Sequence, residues 1–318
     1  MPSRVSPALL RCAAFAALFA VALVAGRFTR MPETNMALIV PAIGVGMIWL
    51  RPLRSWALLG QGLLLAGISA LILRVTEGGT GWEVVWIGLC HFIDAGLSVL
   101  LLRRLSGQGV IRLRSPEDLA RLAAATTGGA AVAALAVTPV IYVRTADLET
   151  NLMWLLAWFC RAIASSLLSM ILWAMLTDRQ GRAGLVQDVR RRELWGLLAV
   201  LVVAHVVAFG WSAMPLAFSI VPVLAWAGMR FRTSTVALVT SASTITIIMI
   251  TKFGFGPFSH LSQTGQTLYA QFVILVLGGV TLALSLYRDE RERCGRLNGP
   301  TPRRCSPTSS RAPRSGPP

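Results

Sequence analysis

Ten apolar runs separated by short polar stretches set the pattern of the chain: roughly 8–26, 34–50, 56–73, 84–102, 119–143, 152–176, 194–211, 214–229, 234–252 and 267–287. A helix needs about 20 residues, within a range of about 17–25, to cross the hydrocarbon of a bilayer. Eight runs reach or approach that length. The second and eighth are short, and each has a proline near its middle, Pro41 and Pro222. Kinking, local thinning and incomplete crossing are all open for these two. The pattern predicts an all-α fold: a polytopic transmembrane helical bundle of about ten membrane segments, eight full-length and two short.

The polar stretches carry an asymmetry that fits this count. With the N-terminus cytoplasmic and the sides alternating, the inner loops hold Arg51 and Arg54; Arg103, Arg104, Arg112 and Arg114; Arg179, Arg182, Arg190, Arg191 and Arg192; Arg230 and Arg232. The outer loops hold scattered Arg27, Arg30, Arg74 and Arg144, with Lys252 at an edge, beside Glu33, Glu77, Glu83, Asp147 and Glu149. Basic residues concentrate on the cytoplasmic side of membrane proteins, so both termini are expected there. Removing the two short runs would invert everything between them.

Composition agrees. Apolar residues make up 55% of the 318 residues and charged residues 14%, where a soluble domain carries about 25% charged. Mean hydropathy is +0.65. The net charge of +16 lies in arginine clusters between apolar runs, which suits membrane orientation rather than a continuous phosphate-binding face; nucleic acid is not an expected partner. Cys12, Cys90 and Cys160 lie inside apolar runs and Cys294 and Cys305 in a polar tail, with no metal or disulfide spacing. The first run is long and lacks a clear cleavage site, so a retained helix is expected rather than a secretory signal.

Small residues line several runs: Gly60, Gly62, Ala66, Gly67 and Ala70, then Gly128, Gly129, Ala130 and Ala134. Such residues let helices approach closely in lipid. Trp49, Trp56, Trp82, Trp86, Trp154, Trp173, Trp195 and Trp211 sit near run ends; interfacial anchoring is the first reading, an aromatic ligand pocket the second. Arg288, Asp289, Glu290 and Arg291 open a charged helix leaving the membrane. From Cys294 the composition turns to Pro, Arg, Ser and Gly, and residues 294–318 are expected to be disordered. That switch reads as a frameshift or truncation.

Several local patterns, in order, resemble the MASE1 integral-membrane sensory domains of bacterial signalling proteins. They are Pro41-Ala42-Ile43-Gly44 with Arg54-Ser55-Trp56 and Gly60; His91-Phe92-Ile93-Asp94-Ala95 leading to Arg103-Arg104; Ser115-Pro116-Glu117-Asp118-Leu119; and Arg230-Phe231 followed by Gly254-Phe255-Gly256-Pro257-Phe258. The similarity covers about residues 8–293, giving a domain over 1–293. Two positions depart from the family pattern: Arg161 stands where an acid is expected, and Met170 where a helix-ending proline is expected. The resemblance implies a sensory or regulatory module of the bacterial inner membrane that passes a signal down its last helix, here without a recognisable output module. Its implied partners are the bilayer and an unidentified small-molecule or membrane-protein signal, with a homodimer as one possible assembly.

Candidate chemistry is sparse. Asp94 is the acid deep in an apolar run and Arg161 the base near a run's middle. Charge at that depth costs about 2.5–3.5 kcal/mol on insertion scales, so each should face the bundle interior or water. They form either a structural pair or part of a sensory cavity. His91 lies one turn before Asp94 on the same face, as a hydrogen-bonded interior histidine or a protonation switch; a metal site would need more such ligands. Gly254, Gly256, Pro257 and Phe258 read as a rigid turn or as a lid over an outer pocket. Hydroxyls through the ninth run, Thr233 to Thr246, either bond within their own helix or line a solute path. No nucleophile, nucleotide or zinc motif appears, so neither an enzyme nor a cofactor is expected. A small-solute transporter is the alternative function, supported by the two interrupted runs and the interior charges.

Overall fold

The computed structural model describes residues 7–34, 36–53, 55–77, 81–106, 113–144, 147–177, 183, 185–188, 192–210 and 216–297. Among the described residues the ten apolar runs become ten α-helices: α1 (Pro7–Arg27), α2 (Ala42–Leu50), α3 (Ser55–Glu77), α4 (Trp82–Ser106), α5 (Pro116–Arg144), α6 (Leu148–Thr177), α7 (Arg192–Gly210), α8 (Ile220–Arg230), α9 (Thr233–Lys252) and α10 (Gln263–Leu297). A 3-10 turn, Leu216–Ser219, leads into α8. The described residues contain no strand, and one isolated antiparallel bridge joins Arg30 to Ala37.

Eight helices are long and apolar enough to cross a membrane. The exceptions are α2, with 9 residues, and α8, with 11. Neither is kinked at a central proline. Pro41 immediately precedes α2, and Pro222 lies in the first turn of α8, where a missing N–H removes no helical bond. The prolines therefore mark where helix begins: residues 36–40 before Pro41 are non-helical, and Leu216–Ser219 before α8 form the 3-10 turn.

Side-chain bonds mark two ends of the bundle, and α2 lies on the stretch between Phe28 and Leu53 that connects them. At one end, Arg103 of α4 bonds the last carbonyls of α2: Nη2 to Leu50 O at 2.9 Å and Leu53 O at 2.6 Å, and Nε to Arg51 O at 3.1 Å. A cation there also complements the helix dipole. Burial and the Arg103 charge together lower the affinity of the Arg51 guanidinium for its proton. The same end holds the reciprocal cap of α5, in which Asp118 N donates to Ser115 Oγ while Ser115 N donates to Asp118 Oδ2, both at 3.2 Å. It also holds the Arg230–Glu193 ion pair between α8 and α7, and Arg293 Nη2 of α10 donates to Arg114 O at 2.9 Å. At the other end, Lys252 donates to Phe28 O, and Glu33 N and Thr34 N donate to Gln263 Oε1. The described arginines assigned to the inner loops thus cluster at one end; Arg54, Arg112, Arg179, Arg182, Arg190 and Arg191 lie outside the described residues.

Helix contact follows the small residues, but unevenly. A Cβ added to Gly129 of α5 would lie 2.0 Å from Ser98 Oγ and 2.8 Å from Asp94 O of α4. One added to Gly88 of α4 would lie 2.5 Å from Ala66 O of α3. So α4 is clasped between α3 and α5. Gly60 and Gly67 face open space. Among the tryptophans, Trp56, Trp82 and Trp195 are exposed near helix ends, whereas Trp49 is buried edge-on against Phe15 at 4.6 Å. Trp211 lies outside the described residues. On its outer side α7 exposes Val202, Val203 and Val206, an apolar surface suited to lipid.

Helix α10 runs through Cys294 to Leu297, 35 residues in all, about 52 Å at 1.5 Å per residue. The charged stretch after Tyr287 is therefore continuous with the last crossing. Residues 298–318, most of the expected tail, lie outside the described residues.

Candidate functional site

The site is built around the stretch between α1 and α2. At Gly26 the chain leaves α1 and folds back so closely that a Cβ there would lie 2.9 Å from Ile39 O. Thr29 fastens the fold-back: its Oγ1 donates to Gly26 O at 2.6 Å and accepts from Ile39 N at 3.3 Å. Residues 36–40 are buried yet non-helical. In hydrocarbon such backbone persists only where protein groups satisfy it. Helix α6 supplies three: Arg161 Nη1 donates to Ala37 O at 3.4 Å, Ser165 Oγ accepts from Val40 N at 2.9 Å, and Ser169 Oγ donates to Pro41 O at 3.3 Å. Helix α10 supplies another, Gln271 Nε2 to Leu38 O at 3.3 Å.

A cavity of about 600 Å³, counting its open mouth, lies against this stretch. Arg27, Arg30 and Arg161 line it with His91, Trp154 and Trp158. The Arg161 guanidinium sits 4.0 Å from the centre of the Trp158 ring, a favourable cation–π arrangement. The His91 ring lies near-parallel to the same indole at 6.0 Å, and its Nδ1 is 3.4 Å from Ser69 Oγ. Arg161 is 4% exposed, and its Nε has no hydrogen-bond partner.

Of the residues singled out from sequence, His91 and Arg161 meet in this cavity. Asp94 does not line it. It is buried one turn along α4, where it accepts a long 3.5 Å bond from Ser98 Oγ. Asp94 and Arg161 lie within electrostatic range of one another, but Arg161 spends its contacts on Ala37 O and Trp158 rather than on a direct ion pair.

The turn after α9 has positive φ at Gly254 (+75°) and Gly256 (+99°). A Cβ on Gly256 would lie 2.4 Å from the Phe209 ring, and Phe258 stacks on Tyr269 at 6.0 Å. Pro257 is buried with them. These residues seat the turn on α7 and α10, and none lines the Arg161 cavity.

Two hydroxyls of α9 bond their own helix, Ser241 Oγ to Ala237 O at 2.6 Å and Thr246 Oγ1 to Ala242 O at 3.0 Å, while Ser234, Thr240 and Thr251 have no partner. Ser243 instead reaches His205 Nε2 at 2.9 Å, while His205 Nδ1 is 2.8 Å from Leu201 O. The carbonyl can only accept, so Nδ1 carries the proton and Nε2 accepts from Ser243. Thr240 and Thr244 touch a second, apolar pocket between α5, α6, α9 and α10, about 460 Å³ when its open side is counted.

At the arginine-rich end, Asp289 Oδ2 accepts from Thr233 N at 3.1 Å and Thr233 Oγ1 at 2.7 Å. Arg288 pairs with Asp289 and with Glu292, while Glu290 is half-buried and Arg291 exposed. Asp188, buried, accepts from Arg232 N at 3.1 Å and Thr235 Oγ1 at 2.8 Å. Two carboxylates thus cap the start of α9, where unsatisfied N–H groups gather.

No protein-family model, curated protein or solved structure matches the chain.

Sequence reasoning missed Arg27 and Arg30 as cavity residues, and Asp188 and Trp158 altogether. One signal was available for Trp158: Trp154, Trp158 and Arg161 are spaced four and three apart, which places them on one face of α6.

Proposed function

We propose that this membrane protein is a sensory or regulatory module of the MASE1 type in a bacterial inner membrane, with its termini cytoplasmic. The observation that carries the reading is the shared stretch 28–41. One side of it meets the cavity through Arg161 and Ala37, and the other meets the exit helix through Gln263 and Gln271. A ligand that favours one position of this stretch biases α10. A signal acts only through unequal affinity for the two positions. At its far end α10 is held by Asp289 on Thr233 and by Arg293 on Arg114, so its movement is felt where an output would attach.

The test is a fusion of a histidine-kinase reporter after residue 297. Regulated output in the parent that is lost in Gln271→Ala supports the reading; output that never varies, or varies equally in the variant, defeats it. Sidedness is checked by Asp147→Cys labelling, which should proceed from outside the cytoplasm. A second reading, small-solute transport, draws on the incomplete helices α2 and α8 beside buried polar groups. Saturable solute uptake into proteoliposomes would replace the sensory reading with it.

A further inference from the structure

We propose that the Arg161 cavity binds a small oxyanion, a phosphate or carboxylate group, admitted past Arg27 and Arg30. The inference rests on the sensory reading of this cavity and names its ligand class. The cavity's side chains bring three guanidiniums together and include no carboxylate. Asp94, the nearby buried acid, does not line it.

Arg161 gives the site its floor. It is almost fully buried and lines the cavity, and its Nε finds no partner in the protein. Trp158 covers one face of the guanidinium, which leaves its edge to donate hydrogen bonds. An edge-on guanidinium is the geometry that grips a carboxylate or phosphate with two parallel bonds. Arg27 and Arg30 are half-buried nearer the end of α1, placed to draw an anion inward. An anion bound to Arg161 competes with Ala37 O for the same donor group, and so acts directly on the stretch that contacts α10.

An oxyanion could come from a soluble metabolite or from a lipid headgroup, and the experiment separates them. The full chain is placed in nanodiscs of neutral phosphatidylcholine, and its unfolding midpoint is followed as inorganic phosphate or citrate replaces chloride at constant ionic strength. A parallel arm uses phosphatidylglycerol nanodiscs with chloride alone. A ligand that binds the folded state raises the midpoint in a saturable way, and a rise in either arm is expected. A response in neutral lipid assigns a soluble anion, and a response to phosphatidylglycerol alone assigns a headgroup. Arg161→Lys keeps the charge but loses the paired donors, and Arg30→Gln removes a charge nearer the mouth. Each should weaken the response by about tenfold or more, while Arg74→Gln, outside the cavity, should not. No rise in either arm, or titrations of Arg161→Lys and Arg30→Gln that match the parent, overturns the proposal. Binding without reporter regulation upholds the anion site and defeats the sensory reading; regulation without binding does the reverse.

Discussion

Two glycine-to-alanine changes, on the helices that flank α4, should move stability in opposite directions. In a helix interior alanine is better than glycine by about 0.8–1 kcal/mol. At Gly67 of α3 nothing lies within 4 Å of the new methyl, so Gly67→Ala should gain most of that amount. At Gly129 the methyl would lie 2.0 Å from Ser98 Oγ, 2.8 Å from Asp94 O and 2.9 Å from Ser98 N. The hydroxyl can rotate away, but the two backbone atoms cannot, and α4 must withdraw from α5 by several tenths of an ångström. Forcing a methyl into a packed interface costs about 1–3 kcal/mol. After the propensity gain, Gly129→Ala should be net destabilising by up to about 2 kcal/mol, a factor of up to roughly 30 in the folded-to-unfolded ratio. Reversible unfolding in mixed micelles, followed by circular dichroism, measures both variants. Adding Ser98→Ala to Gly129→Ala removes the hydroxyl but not the backbone obstacle, so it should recover only part of the loss. Equal signs for the two single variants, or full recovery in the double variant, would refute the assignment of Asp94 O as the limiting contact.

Other expectations follow from contacts at the helix ends. Arg103→Ala strips α2 of its C-terminal donors and should cost about 1.5–3 kcal/mol in unfolding, with Arg103→Lys recovering part because one ammonium cannot span several carbonyls. Asp289→Ala should cost about 1 kcal/mol at the start of α9, seen as faster hydrogen exchange of the Thr233 amide with little change elsewhere. Bonds from Thr150 N and Oγ1, each 2.9 Å, hold the Asp147 carboxyl below its ordinary value. The folded form therefore takes up its proton at lower pH than the unfolded form. The first turn of α6 should be fully held above about pH 4 and loosen as pH falls through the depressed value. Thr150 amide exchange reads this, and Asp147→Asn should abolish the pH dependence.

The ten helices were legible because hydropathy and arginine placement report on the same physics, the cost of carrying charge through lipid. Arg103 and Arg230 gather at one end of the bundle for that reason. Pro41 and Pro222 were also legible as interruptions, although their place at helix starts needed the structure. The cavity was half legible. His91 and Arg161 stand out as polar residues in apolar runs, but Arg27 and Arg30 look like ordinary loop arginines. Only the fold-back at Gly26 turns them inward, and that depends on bonds from Ser165 and Gln271, far away in the chain. Asp188 was hidden in the same way, because its burial depends on where α9 begins.

The fold-back also bears on how the protein is made. Arg161 lies 124 positions after the carbonyl it satisfies, and Gln271 lies 233 positions after its own. Until α6 and α10 are made, Ala37 O, Leu38 O and Val40 N lack the side chains that satisfy them, and nine residues of helix are too few to partition alone. The non-helical backbone of residues 36–40 is therefore expected to seat late in assembly, once α6 and α10 are in place.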